Sequence, residues 1–185
     1  MFDTKKELKS VIEYEKNINL GYLGKYQVFL AAIKSHPRYI NCKYIRLLRY
    51  AGYYYERRNR NVMCSLLYFW YCRRKNKLGR RLGIELNEKS FQKGLEIYHT
   101  YGIVVNGDSR IGENCKLHGN NCIGNDGYSN ECPILGNNVR VGVGAKIIGN
   151  VKIADNVTIA AGAVVVNSFL EPGITVAGIP AKKIK

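Results

Sequence analysis

Three histidines and six cysteines are the side chains of this 185-residue chain best suited to proton transfer, nucleophilic attack or soft-metal binding. His99 stands in "GLEIYHTYGIVVNG", residues 94–107, among small, aliphatic and aromatic neighbours. An imidazole, with an ordinary pKa near 6.5, is largely neutral at pH 7 and can take a proton from a hydroxyl without first losing one. The cysteines, Cys42, Cys64, Cys72, Cys115, Cys122 and Cys132, form no Cys-x-x-Cys pair and no zinc-ligand spacing. They read as reduced thiols packed as small hydrophobes. A three-histidine zinc site would need His36, His99 and His118 together, and His36 lies in a compositionally different half, so no metal is expected.

What would position His99 is a repeat. Counting in sixes from Val105 to Val165, ten of eleven positions are Ile, Leu or Val, and Ser129 is the exception. The residue after each is usually small (Gly112, Gly124, Gly136, Gly142, Ala154, Ala160), and the fourth after is small or β-branched. A period of six suits neither a helix nor an alternating strand. It suits a prism with one flat face per hexad and three hexads per turn, each aliphatic pointing into the shaft and the small residue easing the corner. One such coil cannot bury its own inward row, so several must stack as a solenoid.

Two interruptions stand out. Ser129 lies in "GNDGYSNEC", residues 124–132, whose Gly, Asn, Asp and Ser content predicts a loop extruded over about 124–133. Upstream, the inward series Phe91, Ile97, Ile103 must slip by two residues to meet Val105. His99, two residues past an inward position and beside that slip, is expected at a corner or on the outer surface. An irregularity in a regular scaffold is where a site is sought.

Residues 1–93 hold 21 Lys/Arg and 7 Asp/Glu, a formal +14, while residues 94–185 hold 8 and 7, a formal +1. In "YINCKYIRLLRYAGYYYERRNRNVMCSLLYFWYCRRKNK" the spacing predicts helices, with Tyr44, Leu47, Leu48, Ala51 and Tyr55, then Leu66, Leu67, Phe69 and Trp70, as apolar sides. Pro37 marks a helix start. Basic clusters at 57–60 and 73–77 bracket the aromatic helix and suit peripheral association with an anionic membrane. No nucleic-acid-recognition signature accompanies the charge, so no nucleic-acid partner is expected. The opening "MFDTKKELKSVIEYEKN" lacks the apolar core of an export signal. The longest apolar run, twelve residues, makes about 18 Å of helix, short of the roughly 20 residues that span a bilayer. The expected location is cytoplasmic, with contact at the inner membrane face.

A helical N-terminal part, then "GLEIYHTYGIVVNGDSRIGENCKLHGNNCIG", a glycine-rich loop, "VGVGAKIIGNVKI", "TIAAGAVV" and "VAGIPAKKI" resemble the serine acetyltransferase family. Within it, the expected closest likeness is to relatives that O-acetylate sugars of capsular and other surface polysaccharides. The likeness covers residues 91–185 well and the first ninety in general character. It implies a left-handed parallel β-helix over 83–185 after a basic α-helical domain over 1–82, and the left hand comes from the family. It implies that His99 is the general base, taking the acceptor's proton as its oxygen attacks the thioester carbonyl of acetyl-CoA. It also implies a homotrimer with coenzyme and acceptor in clefts between prisms. The coenzyme's arm would lie near Gly144, Ala145, Ala160, Ala161 and Gly162, with Lys182 and Lys183 available to its phosphates.

Three positions depart from the family pattern. Cys132 stands where serine acetyltransferases have a second active-site histidine, and Glu131 where an arginine often precedes it. Ile84, followed by Glu85, stands where an aspartate precedes the base by fifteen residues. Glu85 is the candidate to orient His99, with Asp108 and Glu96 as rivals, and His118, Cys132 and Asn106 are candidates for the acceptor side. An acidic Glu131 suits an amino acid's carboxylate poorly. The expected activity is therefore acetyl transfer to a sugar or polysaccharide precursor, with serine O-acetylation or a non-catalytic trimeric scaffold as alternatives.

Overall fold

The first eighty positions fold as helices, and Gly and Asn become frequent only after them. The computed structural model describes residues 3–185 and divides after Leu82 into a helical unit and a second unit, Gly83–Lys185. The helical unit holds α1 (Lys5–Leu20), α2 (Lys25–Ile33), α3 (Pro37–Tyr55) and α4 (Val62–Leu82). Thr4 caps α1 by accepting the Glu7 N–H, and Pro37 opens α3, where its missing N–H costs nothing. α1 and α3 are tied by a buried ion pair in which Arg49 Nη2 lies 2.6 Å and Nε 3.0 Å from the Glu15 carboxylate oxygens. Removing either partner would strand a buried charge.

α4 packs through Cys64, Leu67, Tyr68 and Tyr71 on a core of Leu8, Val11, Tyr53 and Tyr54. The Tyr71 ring stacks on Tyr50 at 4.8 Å and on Tyr54 at 5.5 Å. This corrects the apolar side expected from the sequence, since Leu66, Phe69 and Trp70 point outward. The tyrosine stack decides the rotation of α4 because an aromatic triplet adds directional contact to burial.

The second unit is a left-handed parallel β-helix with three faces. Face one stacks Ile84–Glu85, Ile103–Val105, Cys122–Gly124, Lys146–Ile148 and Val164–Val165. Face two stacks Arg110–Ile111, Ile134–Leu135 and Lys152–Ile153, with single bridges from Phe91 and Phe169 at its ends. Face three stacks Glu96–Ile97, Lys116–Leu117, Arg140–Val141, Thr158–Ile159 and Thr175–Gly178, and Ala181–Lys183 closes it antiparallel. Each hexad sends two residues inside: the aliphatic, and the fourth after it, from Ser109, Cys115 and Asn121 through Val139, Ala145 and Val151 to Val157 and Ala163. Burial of Cys115 pushes its thiol up to about 12.

Register makes both interruptions measurable. Regular coils pair residue n with n+18, as in Val104 with Cys122 and Lys146 with Val164. Across the loop the step becomes 24, as in Lys116 with Arg140, so the loop adds one whole hexad and the inward phase resumes unchanged. Earlier, Glu96 pairs with Lys116, a step of 20.

The corners work differently from the sequence expectation. The small residue after each aliphatic is needed for close stacking: a Cβ at Gly112 would lie 2.5 Å from the Gly136 carbonyl oxygen. The chain turns two residues later, at Asn114, Asn138 and Asn156, whose φ values of 57, 56 and 62° are left-handed. Their amides form a ladder, Asn114 Nδ2 donating to Asn138 Oδ1 at 3.1 Å and Asn138 Nδ2 to Asn156 Oδ1 at 3.0 Å. Gly112→Ala should therefore cost about 1–3 kcal/mol of stability by overpacking. Chemical denaturation of that variant is the check, and an unchanged midpoint would contradict this account of the corner.

Candidate functional site

Because Glu96 pairs with Lys116 but Val104 with Cys122, two extra residues lie between Ile97 and Val104, at the corner from face three to face one. The shaft has no room for them, so the backbone bulges through Tyr101 and Gly102, at φ 69 and 71°. His99 rides on this bulge, exposed. The next coil passes beneath it at Gly119, where an added Cβ would come 3.1 Å from His99 Cβ and 3.2 Å from its carbonyl oxygen. Among the described residues, no hydrogen bond or ion pair engages the His99 ring.

Beside it, Tyr98 lies flat on His118 of the following coil, centroids 4.3 Å apart and planes 5° from parallel. His118 is half-buried, and its Nε2 is buried without a hydrogen-bond partner. Burial and then the Arg140 guanidinium hold its pKa below the usual histidine value, against the opposing pull of Glu96. The charge of His99 acts on it in the same lowering direction, so the two rings belong to one electrostatic neighbourhood. On the same outer surface Lys116 Nζ lies 3.4 Å from the Glu96 carboxylate, and Arg140 is exposed in register with Lys116.

Below His99 the corner is lined by small residues. Gly144 N–H donates to the Gly119 carbonyl at 2.9 Å and Gly162 N–H to the Val143 carbonyl at 2.8 Å, which stacks Gly119, Gly144, Ala161 and Gly162 along one edge. Ala160 and Ala161 are open to solvent in part or fully. Ala145 differs: its methyl points into the shaft, and only its backbone borders the edge. Lys182 is exposed on the closing strand, and Lys183 Nζ lies 2.7 Å from both Glu171 carboxylate oxygens.

The remaining candidates stand elsewhere. Glu85 is exposed on face one in register with Val104, Glu96 is paired to Lys116, and Asp108 is at the opposite edge of face one. No hydrogen bond from these carboxylates to His99 is present among the described residues. Asn106 braces the base of the extruded loop, its Nδ2 donating to Asn125 Oδ1 at 3.3 Å and its Oδ1 accepting the Asp108 N–H at 3.0 Å. At the loop's tip the Asp126 carboxylate accepts the Tyr128 and Ser129 N–H groups, each at 2.9 Å, which lowers its pKa. Cys132, half-exposed, ends this loop. One face of six extended residues, roughly 20 Å, thus separates Asn106 and Cys132 from His99 within a chain. Asn121 is structural: its Oδ1 accepts the Gly119 N–H at 2.9 Å and its Nδ2 donates to the Gly142 carbonyl at 2.7 Å. No group of three or more His, Cys, Asp or Glu is disposed to hold a metal among the described residues.

The sequence reading missed the Tyr98–His118 stack and Arg140. Their signal was present, since a period of eighteen plus the slip of two sets residue 98 over residue 118.

Comparison with known proteins now bears on this geometry. Residues 132–167 match the model of the bacterial transferase hexapeptide family, six repeats. The serine acetyltransferase of Synechococcus elongatus is 35% identical over 105 residues, 55% of this chain and 43% of that protein. The serine acetyltransferase of Helicobacter pylori strain J99 is 35% identical over 121 residues, 63% of this chain and 70% of that protein. The chain thus spans less than half the length of the first relative and over two thirds of the second. The crystal structure of serine acetyltransferase from Brucella abortus superposes with a TM-score of 0.73 over 97% of this chain and 70% of that one, at 22% identity, which speaks to the fold alone. The same Brucella enzyme has also been solved in complex with coenzyme A. These relatives overturn the expectation of a closest likeness, and of an activity, among sugar O-acetyltransferases, because they are serine acetyltransferases. The hexapeptide repeat and the 35% identity across 70% of the Helicobacter protein show that the chain belongs to the serine acetyltransferase family of hexapeptide-repeat transferases.

Proposed function

We propose that this protein moves an acetyl group from acetyl-CoA to the hydroxyl of serine, a reaction of cysteine biosynthesis, with His99 as the base. The observation that carries the reading is an exposed imidazole on a two-residue bulge, in a chain 35% identical to a serine acetyltransferase across 121 residues. In the reaction a ring nitrogen of His99 accepts the serine hydroxyl proton as the oxygen bonds to the thioester carbonyl carbon. Backbone N–H groups at the corner stabilise the oxyanion. Collapse of the tetrahedral intermediate breaks the carbon–sulfur bond, and the imidazolium returns its proton to the departing sulfur, giving O-acetylserine and coenzyme A.

The small-residue edge of Gly119, Gly144, Ala161 and Gly162 gives the coenzyme's pantetheine arm a close approach to backbone. The Brucella structure with coenzyme A supports this choice of donor. A homotrimer follows from the same reading: Cys132 and Asn106 reach the edge bearing His99 only if a neighbouring prism supplies them. Serine is a zwitterion. Arg140 and Lys116 suit its carboxylate, and Glu131 on a neighbour's loop suits its ammonium. The reading keeps the trimer in the cytoplasm. No helix among the described residues is long and apolar enough to cross a membrane.

Two outcomes follow. Thiol release from acetyl-CoA should require L-serine, and His99→Ala should lower kcat about 10²- to 10⁴-fold with assembly unchanged. A wild-type chain inert toward serine, or a His99→Ala variant within a few-fold of it, would refute the reading.

The second concerns His118, whose folded pKa lies below the unfolded value near 6.5. The unfolded chain then binds more protons below that pH, so its contribution to stability is intact above about pH 6.5 and is lost as pH falls toward the folded value. His118→Gln should lose less Tm than wild type between pH 7 and pH 5. Parallel Tm profiles for the two proteins would show that the ring's burial has no energetic consequence.

A further inference from the structure

With its opposite side packed on the tyrosine core, α4 turns a continuous face to solvent whose first half is apolar and whose second half is cationic. Val62, Met63, Leu66, Phe69 and Trp70 are 76, 63, 58, 66 and 47% exposed. At 100° per residue they fall within one arc of about 120°. Arg73, Lys77 and Arg80 continue the same arc, exposed, with Asn76 beside them. The Arg74 guanidinium lies 4.5 Å from the Trp70 ring centroid, at the junction of the two halves. α4 contains six Lys/Arg and no Asp or Glu. Residues 1–82 hold 19 basic and 5 acidic residues, a formal +14, against +1 for the rest of the chain.

We infer that this face of α4 is a docking surface for an anionic phospholipid bilayer, on which the helix lies in the plane of the headgroups. The apolar half enters the boundary between headgroups and acyl chains, as an interfacial amphipathic helix does. The cationic half holds lipid phosphates, each cation adding attraction to a negative surface. Charge selects this occupant over a second copy, because a symmetric pairing of two such faces would bring together two sets of Arg73, Arg74, Lys77 and Arg80 with no acid of α4 between them. It also selects it over a nucleic acid, which would leave five large apolar side chains in water. The inference is independent of the acetyl-transfer reading, because it uses residues of the helical unit alone.

Trp70 is the chain's one tryptophan, so its fluorescence reports this surface directly. Added phosphatidylcholine vesicles containing phosphatidylglycerol should shift its emission to the blue, and lipids brominated on the acyl chain should quench it. Pure phosphatidylcholine should leave it unchanged. The triple variant Arg73→Gln/Lys77→Gln/Arg80→Gln should bind on the order of 100-fold more weakly. Leu66→Ser/Phe69→Ser, with unchanged circular dichroism, should lose the acyl-chain quenching. No shift with anionic vesicles, or an equal shift with neutral ones, would overturn the inference. So would a vesicle-free emission that moves to the blue with protein concentration, since a second copy would then cover the face.

Discussion

The prism depends on one constraint: inward residues must stack over one another from coil to coil, which the uninterrupted middle coils meet at a step of eighteen. The faces, the corner ladder and the exclusion of water from the shaft all follow from this register. A residue count that departs from it cannot be absorbed inside, where side chains are already fully buried. The six extra residues before Pro133 and the two extra after Ile97 are therefore forced outward, the first as a loop and the second as a bulge. The site is a consequence of packing arithmetic before it is a matter of chemistry.

That arithmetic also assigns the candidate groups to edges. His99, Gly119, Gly144 and Gly162 share one edge, with the Tyr98–His118 stack and Arg140 on the adjoining face. Asn106 and Cys132 share the next edge. In the proposed reaction these two edges are the two halves of a site, and assembly around a threefold axis would let every chain use both. The helical unit contributes a separate property, since its charge and its exposed apolar face are concentrated on α4.

Much of this was legible in the residues. The hexad series marked the inward row, and the slip it required near His99 is present, but between Ile97 and Ile103, through Tyr101 and Gly102, and not between Ile103 and Val105 as the series placed it. Three things were not. The rotation of α4 was hidden because Leu66, Phe69 and Trp70 are as hydrophobic as the residues that pack, and only the tyrosine stack at Tyr50, Tyr54 and Tyr71 chooses between the faces. The role of Gly112 was misassigned because a turn and a close approach call for the same residue type. The expectation of a sugar acceptor, overturned by the serine acetyltransferase relatives, rested on Glu131 weighed against a carboxylate alone, and Arg140 enters the neighbourhood of His118 only through a pairing 24 residues apart.

The central claim is that two surplus residues hold His99 outside the coil in a reactive position. Deleting Thr100 and Tyr101 restores a step of eighteen and tests it most directly. The account predicts a chain with undiminished thermal stability and native circular dichroism that no longer releases thiol from acetyl-CoA in the presence of serine. A deletion variant that folds and keeps wild-type turnover would contradict it.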